Sequence, residues 1–276
     1  MHSLRYPVPS WLHHHHLGGR TILPAVECMR LLAAACGNLH PGRKFNCVLQ
    51  ARFLRLIEVA AGAGELEFFL EVAPEADREL LILWRRLELK GMKRMLRCAE
   101  LVFVEEAAAE RSGLPAQLES VEQSLDAERI YRDLVPFGPA FQSLSGAVWL
   151  AGPEAGGEVL APELADTAGD DGAEIRGRLG SPFPLDGAMH LACVHGQRRV
   201  DFVPFPVAVA RRRLYQPTRP GRSYQVRARL QRQEADMLVY DLWLTSGNKL
   251  YEEVQSLVMR DVSGGRMRPP AWWRSG

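Results

Sequence analysis

A histidine tract near the N-terminus is the first group of residues in this sequence that could do chemistry. Residues 13–16 are all histidine, and Gly18, Gly19 and Pro24 follow. A neutral imidazole can take up a proton near neutral pH, because the ordinary pKa of histidine is about 6.5. The tract is also compatible with a tag remnant or a loose metal-binding segment, although consecutive side chains cannot all point at one ion. Within it, His15, Gly19 and Pro24 have the spacing H-x-x-x-G-x-x-x-x-P.

A second pair with chemical potential, Asp186 and His190, lies far along the chain. The two residues are four apart in a predicted helix, so their side chains share one face and can touch. A carboxyl group beside an imidazole can donate a proton or share one as a coupled pair. The structural alternative is an acidic residue that favours the helix dipole and a core histidine.

An aromatic segment lies between these two sites. Residues 137–142 read Phe-Gly-Pro-Ala-Phe-Gln, which by itself is typical of a turn that leads into a strand.

The three motifs, taken in this order, resemble those of polyketide synthase dehydratase domains and related 3-hydroxyacyl-thioester dehydratases. The histidine motif matches the family's first motif, and residues 137–142 are similar to its Y-G-P-x-F-Q segment. Residues 185–190 are similar to its L-D-x-x-x-Q/H segment. Two positions depart from the pattern: Phe137 stands where the family usually has tyrosine, and Ala25 where relatives often have glycine.

The resemblance implies a role for each of these residues. His15 would be the base that removes the α-proton, and Asp186 the acid that protonates the departing hydroxyl, with His190 hydrogen-bonded to Asp186. Gly19 and Pro24 complete the first motif, and the Ala25 N–H is the nearest donor for the thioester carbonyl, because proline has no N–H. No metal and no cofactor is expected, since the substrate would arrive on the phosphopantetheine of a carrier protein.

The implied reaction removes water from a 3-hydroxyacyl chain and gives a 2-enoyl thioester, in polyketide or fatty-acid-like biosynthesis. The implied partners are an acyl carrier protein and other synthase components, and residues 198–199 and 211–213, all arginine, are candidates to meet an acidic carrier. Two alternatives stay open: a product-template-like cyclase or enoyl isomerase, and an inactive acyl-binding scaffold.

The elements that position these residues form a repeated pattern of a helix followed by antiparallel strands. The resemblance implies an α+β double hotdog, in which two antiparallel sheets each wrap around a central helix. We expect an N-terminal hotdog with its linker at residues 1–123 and a C-terminal hotdog at 124–276. Residues 163–180 are predicted to form a surface loop. Helices are predicted at 24–39, 127–134 and 185–195, and strands at 46–59, 66–72, 80–89, 95–104, 141–150, 157–162, 200–209, 224–232, 237–244 and 250–259.

Composition excludes several other classes of protein. The net charge of the 276 residues is +1, which argues against a nucleic-acid or anionic-lipid partner. No apolar run reaches the roughly 18 residues of a membrane span. The five cysteines show no CxxC pair, which favours a reducing, cytoplasmic location. Relatives often dimerise, so a homodimer is an option.

Overall fold

The computed structural model describes residues 1–42, 45–75, 78–89, 92–106, 121–164 and 179–274. Most of the predicted linker before residue 123 and most of the predicted surface loop at 163–180 lie outside these ranges. The strands are β1 (His2–Pro7), β2 (His16–Leu17), β3 (Arg20–Ile22), β4 (Cys47–Phe53), β5 (Glu58–Val59), β6 (Glu65–Glu75), β7 (Arg78–Leu89), β8 (Met92–Val104), β9 (Gln123–Asp126), β10 (Leu144–Ala151), β11 (Glu154–Leu160), β12 (Phe205–Leu214), β13 (Ser223–Glu234), β14 (Met237–Ser246) and β15 (Lys249–Arg260). The α-helices are α1 (Ala25–Leu39), α2 (Ala127–Asp133), α3 (Phe183–Gly196) and α4 (Ala271–Arg274).

Over the described residues, the main sheet has twelve antiparallel strands in the order β1-β6-β7-β8-β4-β12-β15-β14-β13-β11-β10-β9. The two predicted sheets are therefore joined edge to edge, because β4 pairs with β12 and Val209 lies opposite Ala51. This pairing satisfies backbone groups that two separate sheets would leave exposed at their edges. The boundary predicted at residues 123 and 124 stays a prediction.

A three-stranded sheet, β2-β3-β5, holds the histidine tract in place. His16 pairs with Thr21, and Ile22 pairs with Glu58. Gly18 and Gly19 form the turn between β2 and β3 with φ values of +55° and +76°, a region that only glycine adopts without strain. The glycines of the first motif thus fold the chain back so that it can enter α1.

Helix α3 is buried along its whole length, from Phe183 to Gly196. It contacts β10, β11, β13 and β14, and it also contacts α1. Most residues of this helix are apolar, which favours a place in the core, and its small residues let it approach the sheet. A Cβ at Gly187 would lie 2.7 Å from Val159 Cγ1, so glycine is required there. The sheet can therefore hold the first turn of α3 in a fixed position.

The predicted helices agree with α1, α2 and α3 within two residues at either end. The sequence prediction missed β1, β2, β3 and β9, and it merged β4 and β5 into one strand. It also began the strand after α3 five residues early, since β12 starts at Phe205. Among the described residues, no helix is long and apolar enough to cross a membrane.

Candidate active site

A cavity of about 920 Å³ lies where segments from the two ends of the chain meet. Its volume is typical of a site for a small organic ligand. Most of its lining is aliphatic, aromatic or sulfur-containing. All six residues that the motifs single out line it, namely His15, Gly19, Pro24, Ala25, Asp186 and His190.

His15 lies in a short loop between a 3₁₀ turn, Ser10–His14, and β2. Its backbone N–H donates to Leu12 O at 3.0 Å, and its carbonyl accepts from the Ile22 N–H at 2.9 Å. The ring Nδ1 lies 2.7 Å from Ile22 O. A carbonyl only accepts, so Nδ1 carries the hydrogen and the neutral ring keeps a free lone pair on Nε2.

Burial favours this neutral ring. It lowers the pKa of His15 below the ordinary value, and the opposing effects of the Asp186 charge and the Ile22 hydrogen bond do not cancel it. His15 is therefore neutral at pH 7, with Nε2 able to accept a proton.

Phe137 separates His15 from His190. Its ring is stacked on His15 with 4.4 Å between centroids, and it lies 5.0 Å from the His190 ring. Phe141 contacts the edge of His15 at 5.0 Å. The aromatic motif therefore fixes the orientation of both imidazoles by packing, and Phe137 has no hydroxyl with which to bind a ligand.

Gly138 is required by a close approach between the aromatic motif and the histidine tract. A Cβ at this position would lie 2.8 Å from His14 Cβ. The Gly138 N–H donates to His14 O at 2.8 Å, and the Ala140 N–H donates to His14 Nδ1 at 3.2 Å. His14 thus ties the two motifs together immediately beside His15.

Asp186 and His190 form a buried pair on the first turns of α3. Their exposed fractions are 4% and 5%. His190 Nε2 lies 3.0 Å from Asp186 Oδ2, but the contact is not aligned as a hydrogen bond. Within the described part of the chain neither atom has another hydrogen-bond partner. Both residues line the cavity, and buried polar atoms left in this state call for an explanation such as a catalytic role.

The Asp186 carboxyl is under two opposing influences. Burial disfavours its charge, but the neighbouring His190 and the more distant His15 together outweigh burial and lower the pKa of Asp186. The carboxylate therefore holds a proton only through its partner, as the coupled-pair interpretation of Asp186 and His190 requires.

Tyr131, on α2, is a site residue that the sequence analysis missed. Its hydroxyl accepts from the Leu144 N–H at 2.8 Å and lies 3.3 Å from His190 Nδ1. The signal that could have revealed it is its place on the buried face of a short amphipathic helix, since a buried tyrosine hydroxyl needs a polar partner.

The start of α1 provides backbone donors. The Pro24 carbonyl accepts from the N–H groups of Glu27 and Cys28, both at 3.1 Å. The Ala25 N–H precedes the first intrahelical bond and has no partner within the helix. Ala25 lines the cavity, so the N-terminus of α1 forms part of its wall.

The arginines expected to meet a carrier are mostly engaged within the protein. Arg212 is only 2% exposed and pairs with Glu252 at 2.5 Å, so that expectation is wrong for this residue. Arg211 and Arg213 both pair with Glu106. They alternate along β12 with Arg212, which is why the run could not form one exposed patch.

The histidine tract does not converge on a common point. His13 lies 3.4 Å from Thr21 Oγ1, His14 contacts Ala140, and His15 contacts Ile22. In the described ranges no group of three or more His, Cys, Asp or Glu side chains is arranged to hold a metal ion.

Comparison with protein families gives a match over residues 109–269 to the polyketide synthase dehydratase N-terminal domain. This covers more than half of the chain and includes Tyr131, Phe137, Asp186 and His190. The chain belongs to the polyketide synthase dehydratase family. His15 lies outside the matched range, so its assignment rests on the first motif and on the geometry of the cavity.

Solved structures share the fold of this dehydratase-family chain, which is the double hotdog. The dehydratase domain of RzxB from Pseudomonas fluorescens has a TM-score of 0.76 at 16% identity, over 94% of each chain. A trans-AT polyketide synthase dehydratase domain from Brevibacillus brevis has a TM-score of 0.76 at 14% identity, over 95% of this chain and 93% of that one. A bifunctional dehydratase-cyclase domain in ambruticin biosynthesis has a TM-score of 0.68 at 17% identity, over 94% and 90%. No curated protein matches this chain.

Proposed function

We propose that this protein removes water from 3-hydroxyacyl chains carried by an acyl carrier protein and releases 2-enoyl thioesters. The observation that carries the proposal is the meeting of a neutral histidine with a free Nε2 and a buried carboxyl–imidazole pair in one apolar cavity. His15 and Asp186 are close enough for each to influence the ionisation of the other.

In the proposed reaction, His15 is the base. Its Nε2 takes the α-proton, the electrons of that C–H bond form the carbon–carbon double bond, and the bond from the β-carbon to oxygen breaks. A base with a lowered pKa is present in its neutral form throughout the neutral pH range. The hydrogen bond from Nδ1 to Ile22 O stabilises the imidazolium that results.

Asp186 is the acid in this scheme. It delivers the proton held by the Asp186–His190 pair to the departing hydroxyl, which leaves as water. The Asp186 carboxylate that remains is balanced by the imidazolium formed on His15, which lies close enough to act on its ionisation. The cycle closes when the proton on His15 returns to the pair.

The thioester carbonyl gains negative charge as the α-proton leaves, and the N-terminus of α1 is the part of the cavity wall that can stabilise it. We assign this role to the Ala25 N–H, which also has the positive end of the helix dipole behind it. The Ala25 methyl makes this corner narrower than glycine would, which favours substrates without bulk beside the carbonyl.

The partners in this proposal are an acyl carrier protein and other polyketide or fatty acid synthase components. Phosphopantetheine would bring the substrate, and the protein needs no cofactor of its own. The exposed Gly18 and Leu54 line the cavity, which supports entry of such an arm from that side.

The test is mass spectrometry of carrier-bound 3-hydroxyacyl substrates after incubation with the protein. We expect a product lighter by one water from the wild type, and none from His15→Ala or Asp186→Asn. Circular dichroism and the melting temperature should show that both variants remain folded. If both variants match the wild type on every substrate tried, the assignment of the active site is wrong.

A cyclase is the second candidate, and the similarity to the dehydratase-cyclase domain of ambruticin biosynthesis is the observation in its favour. The same base and acid could serve ring closure or double-bond migration. Wild-type products with a ring or a shifted double bond, and no loss of water, would favour the cyclase or the isomerase. A protein that binds acyl chains without changing them would be a scaffold.

A further inference from the structure

We propose that Tyr131 is a positioning residue that sets the tautomer of His190, so that His190 presents an N–H at Nε2 to Asp186. The proposal rests on the proposed function for its effect on catalysis. The geometry that supports it is a continuous chain of polar contacts from the Leu144 N–H through Tyr131 and His190 to Asp186.

The first step is that the Tyr131 hydroxyl is fixed in place. Its side chain is 5% exposed, and its oxygen accepts from the Leu144 N–H at 2.8 Å. Leu144 is the first residue of β10, so the hydroxyl is anchored to the main sheet. Because one lone pair of the oxygen is already used, the hydroxyl hydrogen must point away from Leu144.

The second step fixes the imidazole. His190 Nδ1 lies 3.3 Å from the Tyr131 oxygen, within reach of the hydroxyl hydrogen. A neutral ring that accepts at Nδ1 carries its hydrogen on Nε2. That nitrogen lies 3.0 Å from Asp186 Oδ2, so a hydrogen on Nε2 makes this close contact attractive, and a small rotation of either side chain would align it as a hydrogen bond.

The third step concerns the phenol itself. Besides the Leu144 N–H, the Ser143 backbone also acts as a donor to the Tyr131 oxygen, so the hydroxyl hydrogen is left for His190 Nδ1. Burial raises the pKa of the Tyr131 phenol, so its hydrogen is retained throughout the range in which the pair works.

Phenylalanine at position 131 would remove the preference of His190 for the Nε2–H tautomer. The Nδ1–H tautomer would then become accessible, and it would leave an Nε2 lone pair 3.0 Å from a carboxylate oxygen, which is repulsive. Asp186 on the same helix and Tyr131 on α2 contact His190, and His15 on the facing loop acts on it electrostatically from beyond Phe137. A shift in the pair's proton affinity should therefore appear in the pH profile.

Helix α3 provides a matched control. His195 also has a tyrosine hydroxyl beside Nδ1, that of Tyr240 at 2.8 Å, and this pair lies outside the cavity lining. Tyr240→Phe therefore removes the same atoms from the same helix. It should leave the His190 signals where they are.

The experiment is nitrogen-15 NMR of the full chain labelled at histidine, with the His190 signals assigned by their loss in His190→Gln. We expect the Nε2–H tautomer in the wild type and in Tyr240→Phe, and a mixture or the Nδ1–H tautomer in Tyr131→Phe. A wild-type His190 in the Nδ1–H form overturns the proposal even if Tyr131→Phe does not fold. An unchanged tautomer in a folded Tyr131→Phe also overturns it.

Kinetics provide the second readout. Tyr131→Phe should lower kcat roughly tenfold with little change in KM, which is the size expected for the loss of one hydrogen bond. It should also shift the limb of the pH profile that reports the pair. In a His190→Gln background, Tyr131→Phe should have no such effect. The tautomer is measured without substrate, so a wild type that releases no water contradicts the proposed function and leaves the inference about Tyr131 standing.

Discussion

Helix α3 carries two buried histidines whose Nδ1 atoms have similar surroundings. His190 and His195 are 5% and 2% exposed, and each has a tyrosine hydroxyl beside Nδ1. The two pairs differ at the other ring nitrogen. His190 Nε2 faces the Asp186 carboxyl, whereas His195 Nε2 lies 3.1 Å from the carbonyl of Gly152.

This difference separates a site that can move a proton from one that holds the fold together. Burial lowers the pKa of His195 to about 4, the Gly152 carbonyl opposes the shift, and the positive charge of Arg199 adds to it. The neutral His195 ring is held by the Tyr240 hydroxyl and the Gly152 carbonyl, and neither of them takes a proton from it. His190 shares its environment with a carboxylate that can exchange a proton and with a cavity that can admit a substrate. The partner of the second nitrogen, and not burial alone, decides which role a core histidine has.

Replacing each histidine by alanine should give the largest difference between the two sites. We expect His190→Ala to lower kcat about 100-fold, because the acid loses the partner that holds its proton. His195→Ala should leave kcat within a fewfold of the wild type but lower the free energy of unfolding by about 2–4 kcal/mol, through the cavity and the unpaired Tyr240 hydroxyl. Steady-state kinetics and urea unfolding of both variants test whether the loss of activity and the loss of stability fall on different histidines. Equal losses of activity in the two variants would contradict it.

The pH dependence of stability should sharpen the comparison. His195 has a pKa of about 4 in the folded chain and an ordinary value of about 6.5 when unfolded, so the unfolded state binds more protons between these values. The free energy of unfolding should therefore fall as the pH is lowered from about 6.5 to 4, by up to about 3 kcal/mol from this residue alone. Urea unfolding across this range should show a flatter curve for His195→Gln than for the wild type. Parallel curves would show that the folded chain does not disfavour protonation of His195.

A smaller effect is expected from Gly138→Ala, which acts on the active-site side only. The added methyl would lie 2.8 Å from His14, so the loop that carries His15 must move. We expect a cost of about 1–3 kcal/mol in stability and a changed His190 environment, with the His195 signals unmoved. Gly64→Ala is the matched control, since nothing lies within 4 Å of the position that its added methyl would take. Melting temperatures and histidine NMR compare the two variants, and equal melting temperatures would show that the contact with His14 is not tight.

The sequence predicts the elements of this fold better than it predicts their contacts. The alternation of Leu66, Phe68 and Leu70 with glutamates indicates a half-buried strand, and β6 forms there. Helical spacing alone predicts the pairing of Asp186 with His190, and the structure brings the two side chains to 3.0 Å. Both inferences rely on local geometry, which repeats along the chain.

Contacts between distant segments were not predictable in the same way. The place of Phe137 between His15 and His190 depends on two loops meeting, and the link from Tyr131 to His190 spans 59 positions. The edge pairing of β4 and β12 depends on how complete sheets dock. No periodicity in one segment encodes these arrangements, because they are set by packing between segments.

The pairing of β4 with β12 has a consequence for any attempt to divide this protein. Over the described residues the long sheet ends at β1 and β9, so β4 and β12 are interior strands. Separating the chain between them would expose a row of unpaired amides and carbonyls on each fragment, a surface that recruits strands from other molecules. The fragments would therefore tend to aggregate or to find each other again, and co-expression is the route by which a split version of this protein could be recovered.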